Sequence, residues 1–94
     1  MDVLDLETLN RIDTFARTYY TEMRRGYNNK LGGVNQIKQS FETFNEKNDT
    51  FVEYMTNKKF GEYLKRLGHR CNGSDNFNLK QNRRWKQLMF DRLN

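Results

Sequence analysis

Leu6, Leu9, Ile12, Phe15 or Ala16, Tyr19 and Met23 follow one another in steps of three or four along the first quarter of the 94-residue chain. At 3.6 residues per turn that spacing draws one apolar stripe, and it predicts a helix from about Leu6 to Arg25. Asp5 is placed to cap it, Glu7 stands in its first turn, and Arg24 and Arg25 precede Gly26, all in accord with the helix dipole. A helix this long with a single apolar stripe needs cover from the rest of the chain. It is the scaffold on which a small fold would be built.

The cover has to come from one domain, residues 1–94, because a chain of this length closes a single modest core. Only 35% of the residues are hydrophobic, yet thirteen of them are aromatic, and each buried ring supplies a large apolar area. A folded domain is therefore expected rather than a disordered chain. With no proline and six glycines, breaks must be read from Gly and Asn clusters. Tyr27 to Gly33 is one such loop. Its Gly32-Gly33 pair lacks the strand and Lys-Ser/Thr context of a nucleotide-binding loop.

Val34, Ile37, Phe41 and Phe44 predict a second amphipathic helix ending near Asn45. Asn45 to Thr50 is a polar break, and Phe51 to Met55, rich in aromatic and branched side chains, leans toward extended chain. Thr56 then offers a capping hydroxyl to a third helix, in which Phe60, Leu64 and Leu67 recur up to the glycine stop at Gly68. Past His69-Arg70-Cys71, the run Asn72-Gly73-Ser74-Asp75-Asn76 has the Asn-Gly pair favoured in tight hairpins. The segment Arg83 to Phe90 is open between strand and helix. Its alternation is poor for a strand, whereas Trp85, Leu88, Met89 and Leu93 align on a helix.

Charge is divided along this plan. Residues 1–57 hold seven Lys/Arg against nine Asp/Glu, and residues 58–94 hold ten against three, so a chain of net +5 has an acidic front and a basic back. Lys58, Lys59, Lys65, Arg66 and Arg70 form one basic group, and Lys80, Arg83, Arg84 and Lys86 a second. Asymmetry of this kind suits an anionic partner such as nucleic acid. Asn57 is able to read a base edge or simply to start a helix, and Trp85 to stack on a base or to fill the core.

The residues from Asp49 to Phe90, a little under half of the chain, resemble the winged-helix domain at the C-terminus of viral and phage primase-helicases of the poxvirus and satellite-phage type. The resemblance is carried by Lys58-Lys59-Phe60-Gly61-Glu62-Tyr63-Leu64-Lys65-Arg66-Leu67-Gly68, then a polar turn, then Arg83-Arg84-Trp85-Lys86. Together with the two N-terminal helices read from spacing over residues 1–48, it implies a mainly α domain of winged-helix type, whose basic part, 49–94, has a recognition-like helix and a C-terminal hairpin, or wing. The alternative is an all-α four-helix domain with a C-terminal helix. Nothing matches the ATPase or primase parts of that family, so only a binding role carries over.

Other chemistry finds little support. His69-x-Cys71 supplies half of a structural zinc shell, and a His-Cys dyad without an orienting third group is a weak nucleophile, so no metal, cofactor or catalysis is expected. The single cysteine, Cys71, excludes an internal disulfide and fits a reducing, cytoplasmic interior, and no run approaches the roughly 18 apolar residues of a membrane span. The leading expectation is a non-catalytic nucleic-acid-binding protein, for DNA single- or double-stranded, of viral or mobile-element type and linked to replication or its regulation. Its site residues are Asn57, Lys58, Lys59, Lys65, Arg66, Arg70, Arg83, Arg84, Trp85 and Lys86. The rival is a module that docks on a host or replication protein, supported by Tyr19, Tyr20, Tyr27, Phe51 and Tyr54, since Tyr is enriched at binding hot spots.

Overall fold

The computed structural model describes residues 4–28, 33–72 and 76–90. Its elements run α1 (Leu6–Tyr19), β1 (Tyr20–Glu22), α2 (Gly33–Lys47), α3 (Asn57–Arg66), β2 (Leu79–Gln81) and α4 (Arg83–Phe90). Asp5 caps α1 as its position predicts, with Oδ2 accepting from the Thr8 hydroxyl at 2.7 Å and the Thr8 amide at 2.9 Å. Those two bonds hold the Asp5 carboxyl below its ordinary pKa range.

Helix α1 stops at Tyr19, short of the predicted Arg25. Tyr20–Glu22 instead pairs antiparallel with β2, Tyr20 opposite Gln81, Thr21 opposite Lys80 and Glu22 opposite Leu79. Ladder hydrogen bonds replace the helical ones, and Met23 extends them by donating to the Asn78 carbonyl at 2.7 Å. On the other edge of this segment, Cys71 bridges Phe77, and Asn78 donates to the Arg70 carbonyl at 3.0 Å. Residues 76–81 therefore lie between β1 and residues 70–72. A strand after the first helix, pairing with the far arm of a hairpin that follows the third helix, is an arrangement of winged-helix type. The tip of that hairpin, Gly73 to Asp75, lies outside the described residues, as do residues 29–32 of the Tyr27–Gly33 loop.

The structure then adds a helix to the hairpin. Arg83-Arg84-Trp85-Lys86, which the family resemblance would make a wing strand, forms the first half of α4. The spacing of Trp85 and Leu88 explains the difference: both are buried, one turn apart, which only a helix allows here. Leu93 lies outside the described residues. Asn82 accepts from the Trp85 amide at 3.1 Å and donates from Nδ2 to the Thr18 carbonyl at 2.9 Å, so the start of α4 is fastened to the end of α1. Helical elements dominate, and hairpin and C-terminal helix coexist.

Helix α3 begins as read, with Thr56 Oγ1 accepting from the Lys59 amide at 3.1 Å. It ends in a Schellman turn: His69 donates to the Leu64 carbonyl and Gly68 to the Lys65 carbonyl, with Gly68 at φ +95°. Phe51–Met55 joins no ladder and serves as a connector.

The core is largely aromatic. Phe15 meets Tyr19, Tyr20, Phe41 and Phe44 at ring separations of 5.3–5.7 Å, and Phe41 passes the contact to Phe60 of α3 at 5.6 Å. Pairs of this kind contribute about 0.5–1.5 kcal/mol beyond their burial. A second, polar layer runs through the same core. Ser40, fully enclosed on α2, accepts from the Trp85 indole at 2.8 Å and from Gln36 Nε2 at 2.9 Å, while the Tyr20 hydroxyl donates to Gln36 Oε1 at 3.0 Å. Gln81 of β2 joins by donating to the same Gln36 oxygen. Four elements thus meet at one pair of residues.

Candidate nucleic-acid interface

Both basic groups sit on helices whose buried faces are fixed. In α3, Phe60, Gly61, Tyr63 and Leu64 turn inward, so Lys58, Lys65 and Arg66 are forced outward, with Lys59 half-buried at the edge and Asn57 exposed at the start. Glu62 stands in the middle of this face, three or four residues from each of the four cations. In α4, Trp85 and Leu88 turn inward and Arg83, Arg84 and Lys86 stay exposed, as does Lys80 on β2. Among the described residues the ion pairs are Arg11–Glu7, Arg17–Asp13, Lys38–Glu42 and His69–Glu22. None of these pairs involves a cation of α3 or α4.

The two helices do not form one surface. Each packs on α1 and α2, and α3 against α4 is not among the close pairings. Along α2, Ser40 bonds Trp85 and Lys47 Nζ donates to the Leu88 carbonyl, whereas Phe41 meets Phe60 and Val34 lies beside Gly61. At 3.6 residues per turn these pairs stand about 120° apart around the helix. The basic face of α3 and that of α4 therefore flank the α1–α2 pair from different sides.

Two of the residues singled out from the sequence are drawn into the fold. Trp85 is 8% exposed, with its indole bound to Ser40 and Phe90 against its ring edge-on at 5.9 Å, so it is core and offers no open face for a base. Arg70 donates from its guanidinium to the Met23 and Arg24 carbonyls at 2.9 and 3.1 Å and stands 5.4 Å from the Tyr27 ring centroid. It fastens the hairpin base to the turn after β1. No sequence pattern marks that role, because its partners are backbone oxygens 46 and 47 residues away.

His69 and Cys71 each make a contact within the fold, although His69 Nε2 is enclosed with no hydrogen-bond partner among the described residues. The His69 Nδ1 lies 3.1 Å from Glu22 Oε2, tying α3 to β1, and Cys71 sits half-buried in the bridge to Phe77. The described residues contain no group of three or more His, Cys, Asp or Glu arranged to hold a metal ion. No helix among them is long and apolar enough to cross a membrane. Comparison with protein families, curated proteins and solved structures gives no match.

Proposed function

We propose that the protein binds nucleic acid, DNA in the first instance, through the exposed cations of α3 and α4, without catalysing a reaction. One observation carries the reading: Lys58 and Lys59 occupy the first turn of α3, Arg83 and Arg84 the first turn of α4, and neither turn holds an acidic residue. A cation there opposes the helix dipole at a cost of about 0.3–1 kcal/mol, so helix stability gives no reason for these four residues. A phosphate at the same place would be favoured by the side chains and the dipole together. The winged-helix arrangement supports the reading, with α3 as the recognition-like helix. The resemblance of residues 49–90 to viral and phage primase-helicase domains points the role toward replication in a virus or mobile element.

The test is fluorescence anisotropy with labelled duplex and single-stranded oligonucleotides across a salt series. Binding on the order of micromolar or tighter at low salt is expected, weakening as salt rises with a log–log slope of about 0.9 per phosphate neutralised on a duplex. Absence of binding at low salt, or affinity indifferent to salt, overturns the proposal.

A further inference from the structure

A cavity of about 270 Å³ opens between α2 and the connector from Thr50 to Met55. Phe41 and Asn45 of α2 and the rings of Phe51 and Tyr54 contribute to its lining. Phe51 is 90% exposed and Tyr54 74%, the two most exposed large apolar side chains among the described residues. Inside, Asn45 is only 5% exposed, and its Oδ1 has no hydrogen-bond donor among the described residues. An enclosed acceptor without a donor is costly, and a ligand N–H would remove the cost.

The electrostatics of the cavity are opposite to those of α3 and α4. Lys38, the lining cation, is already engaged: Nζ donates to the Met55 carbonyl at 3.3 Å, lies 3.8 Å from Glu42, and stands 4.7 Å from the Tyr54 ring centroid. Glu46 and Glu53 also line the opening and belong to no ion pair among the described residues. A phosphate would meet two uncompensated carboxylates here. A cation would be attracted.

We propose that this slot receives a basic peptide segment of a partner protein, with a tryptophan side chain as anchor. Its ring would lie against Phe51 and Tyr54, its indole N–H would donate to Asn45, and flanking Lys or Arg would pair with Glu46 and Glu53. An apolar anchor in a pocket, ringed by polar contacts, is the usual anatomy of a binding hot spot. The protein would then bridge an anionic partner on one side and a cationic one on another.

The test uses the full chain, labelled with 15N, titrated with the peptide acetyl-Lys-Lys-Trp-Lys-Lys-amide and three relatives: Glu in place of every Lys, Ala in place of Trp, and naphthylalanine in place of Trp. The expected result is shift changes confined to residues 38–55 and the Asn45 side-chain amide. Affinity should fall about tenfold or more for the Glu and Ala peptides and several-fold for the naphthyl one. Glu46→Gln with Glu53→Gln, both at exposed positions, should abolish the preference for the Lys peptide, and Phe51→Ala should weaken all of the peptides. Equal affinity for the Lys and Glu peptides, or no change at 38–55, overturns the proposal. So does a single-stranded oligonucleotide that shifts these residues more strongly than the peptide does.

Discussion

Trp85 and Ser40, 45 residues apart in sequence, are joined by a 2.8 Å hydrogen bond in which the indole nitrogen donates to a fully enclosed hydroxyl. Ser40 also accepts from Gln36 at 2.9 Å, and the Tyr20 hydroxyl lies 3.3 Å from the same oxygen. Ser40→Ala should lower unfolding free energy by about 1–3 kcal/mol, because those donors would stay buried without an acceptor. Urea denaturation checks this. In a double-mutant cycle with Trp85→Phe the two losses should fall short of additive, since both remove the same bond.

Tyr20 belongs to the same cluster and sets an alkaline limit. Burial pushes its pKa from the ordinary value near 10 to about 12, against the opposing pull of the polar groups of Ser40, Trp85 and Gln36 around its hydroxyl. The unfolded chain loses the phenolic proton first, so stability is whole below pH 10 and falls between pH 10 and 12. The full difference amounts to about 3 kcal/mol. Tyr20→Phe should flatten that part of the stability profile, as measured by denaturant midpoints from pH 9 to 12.

Two glycines predict opposite outcomes. At Gly61, inside α3, an added methyl would lie 3.8 Å from Phe77 and Val34, an ordinary contact, so Gly61→Ala should stabilise by about 0.5–1 kcal/mol. At Gly68 there is space but φ is +95°, and Gly68→Ala should destabilise by about 1 kcal/mol through backbone strain. Thermal melts of the two variants should move in opposite directions.

Arg83→Glu with Arg84→Glu separates binding from folding. The change replaces two cations at the positive end of α4 with anions and brings a carboxylate three residues before Lys86. Stability should rise by about 0.5–2 kcal/mol in total. Oligonucleotide affinity should drop and the salt slope shrink by about one per lost phosphate contact. A variant that is less stable and binds as before would contradict both halves of the argument.

The helices were legible because their signals are local. Thr56, Asp5 and Gly68 mark the ends of α1 and α3 by their own hydroxyl, carboxylate and missing Cβ, and the stripe of α2 needs nothing beyond spacing, whereas Arg83 to Phe90 stayed open between strand and helix until the burial of Trp85 and Leu88 decided it. What stayed hidden depends on partners far along the chain. The helical spacing of Tyr19 and Met23 gives no hint that Tyr20–Glu22 would turn to pair with Leu79–Gln81. Charge asymmetry singled out the two basic groups, but their division between two sides follows from how α2 apportions Ser40 and Phe41. Phe51 and Tyr54 stood out as aromatics in a short chain, whereas the cavity beside them depends on Asn45 and Lys38, ordinary polar residues in the sequence.

The division into an acidic front and a basic back is one of charge alone, for the interior ignores it. The amide of Asp5 donates to the Tyr63 hydroxyl across 58 residues, Phe60 packs on Phe41, and Trp85 bonds Ser40. A ribosome must therefore release the chain through α4 before the first helix has all of its permanent neighbours. A graft of residues 49–90 into another host would carry the cations across and leave behind everything that aims them.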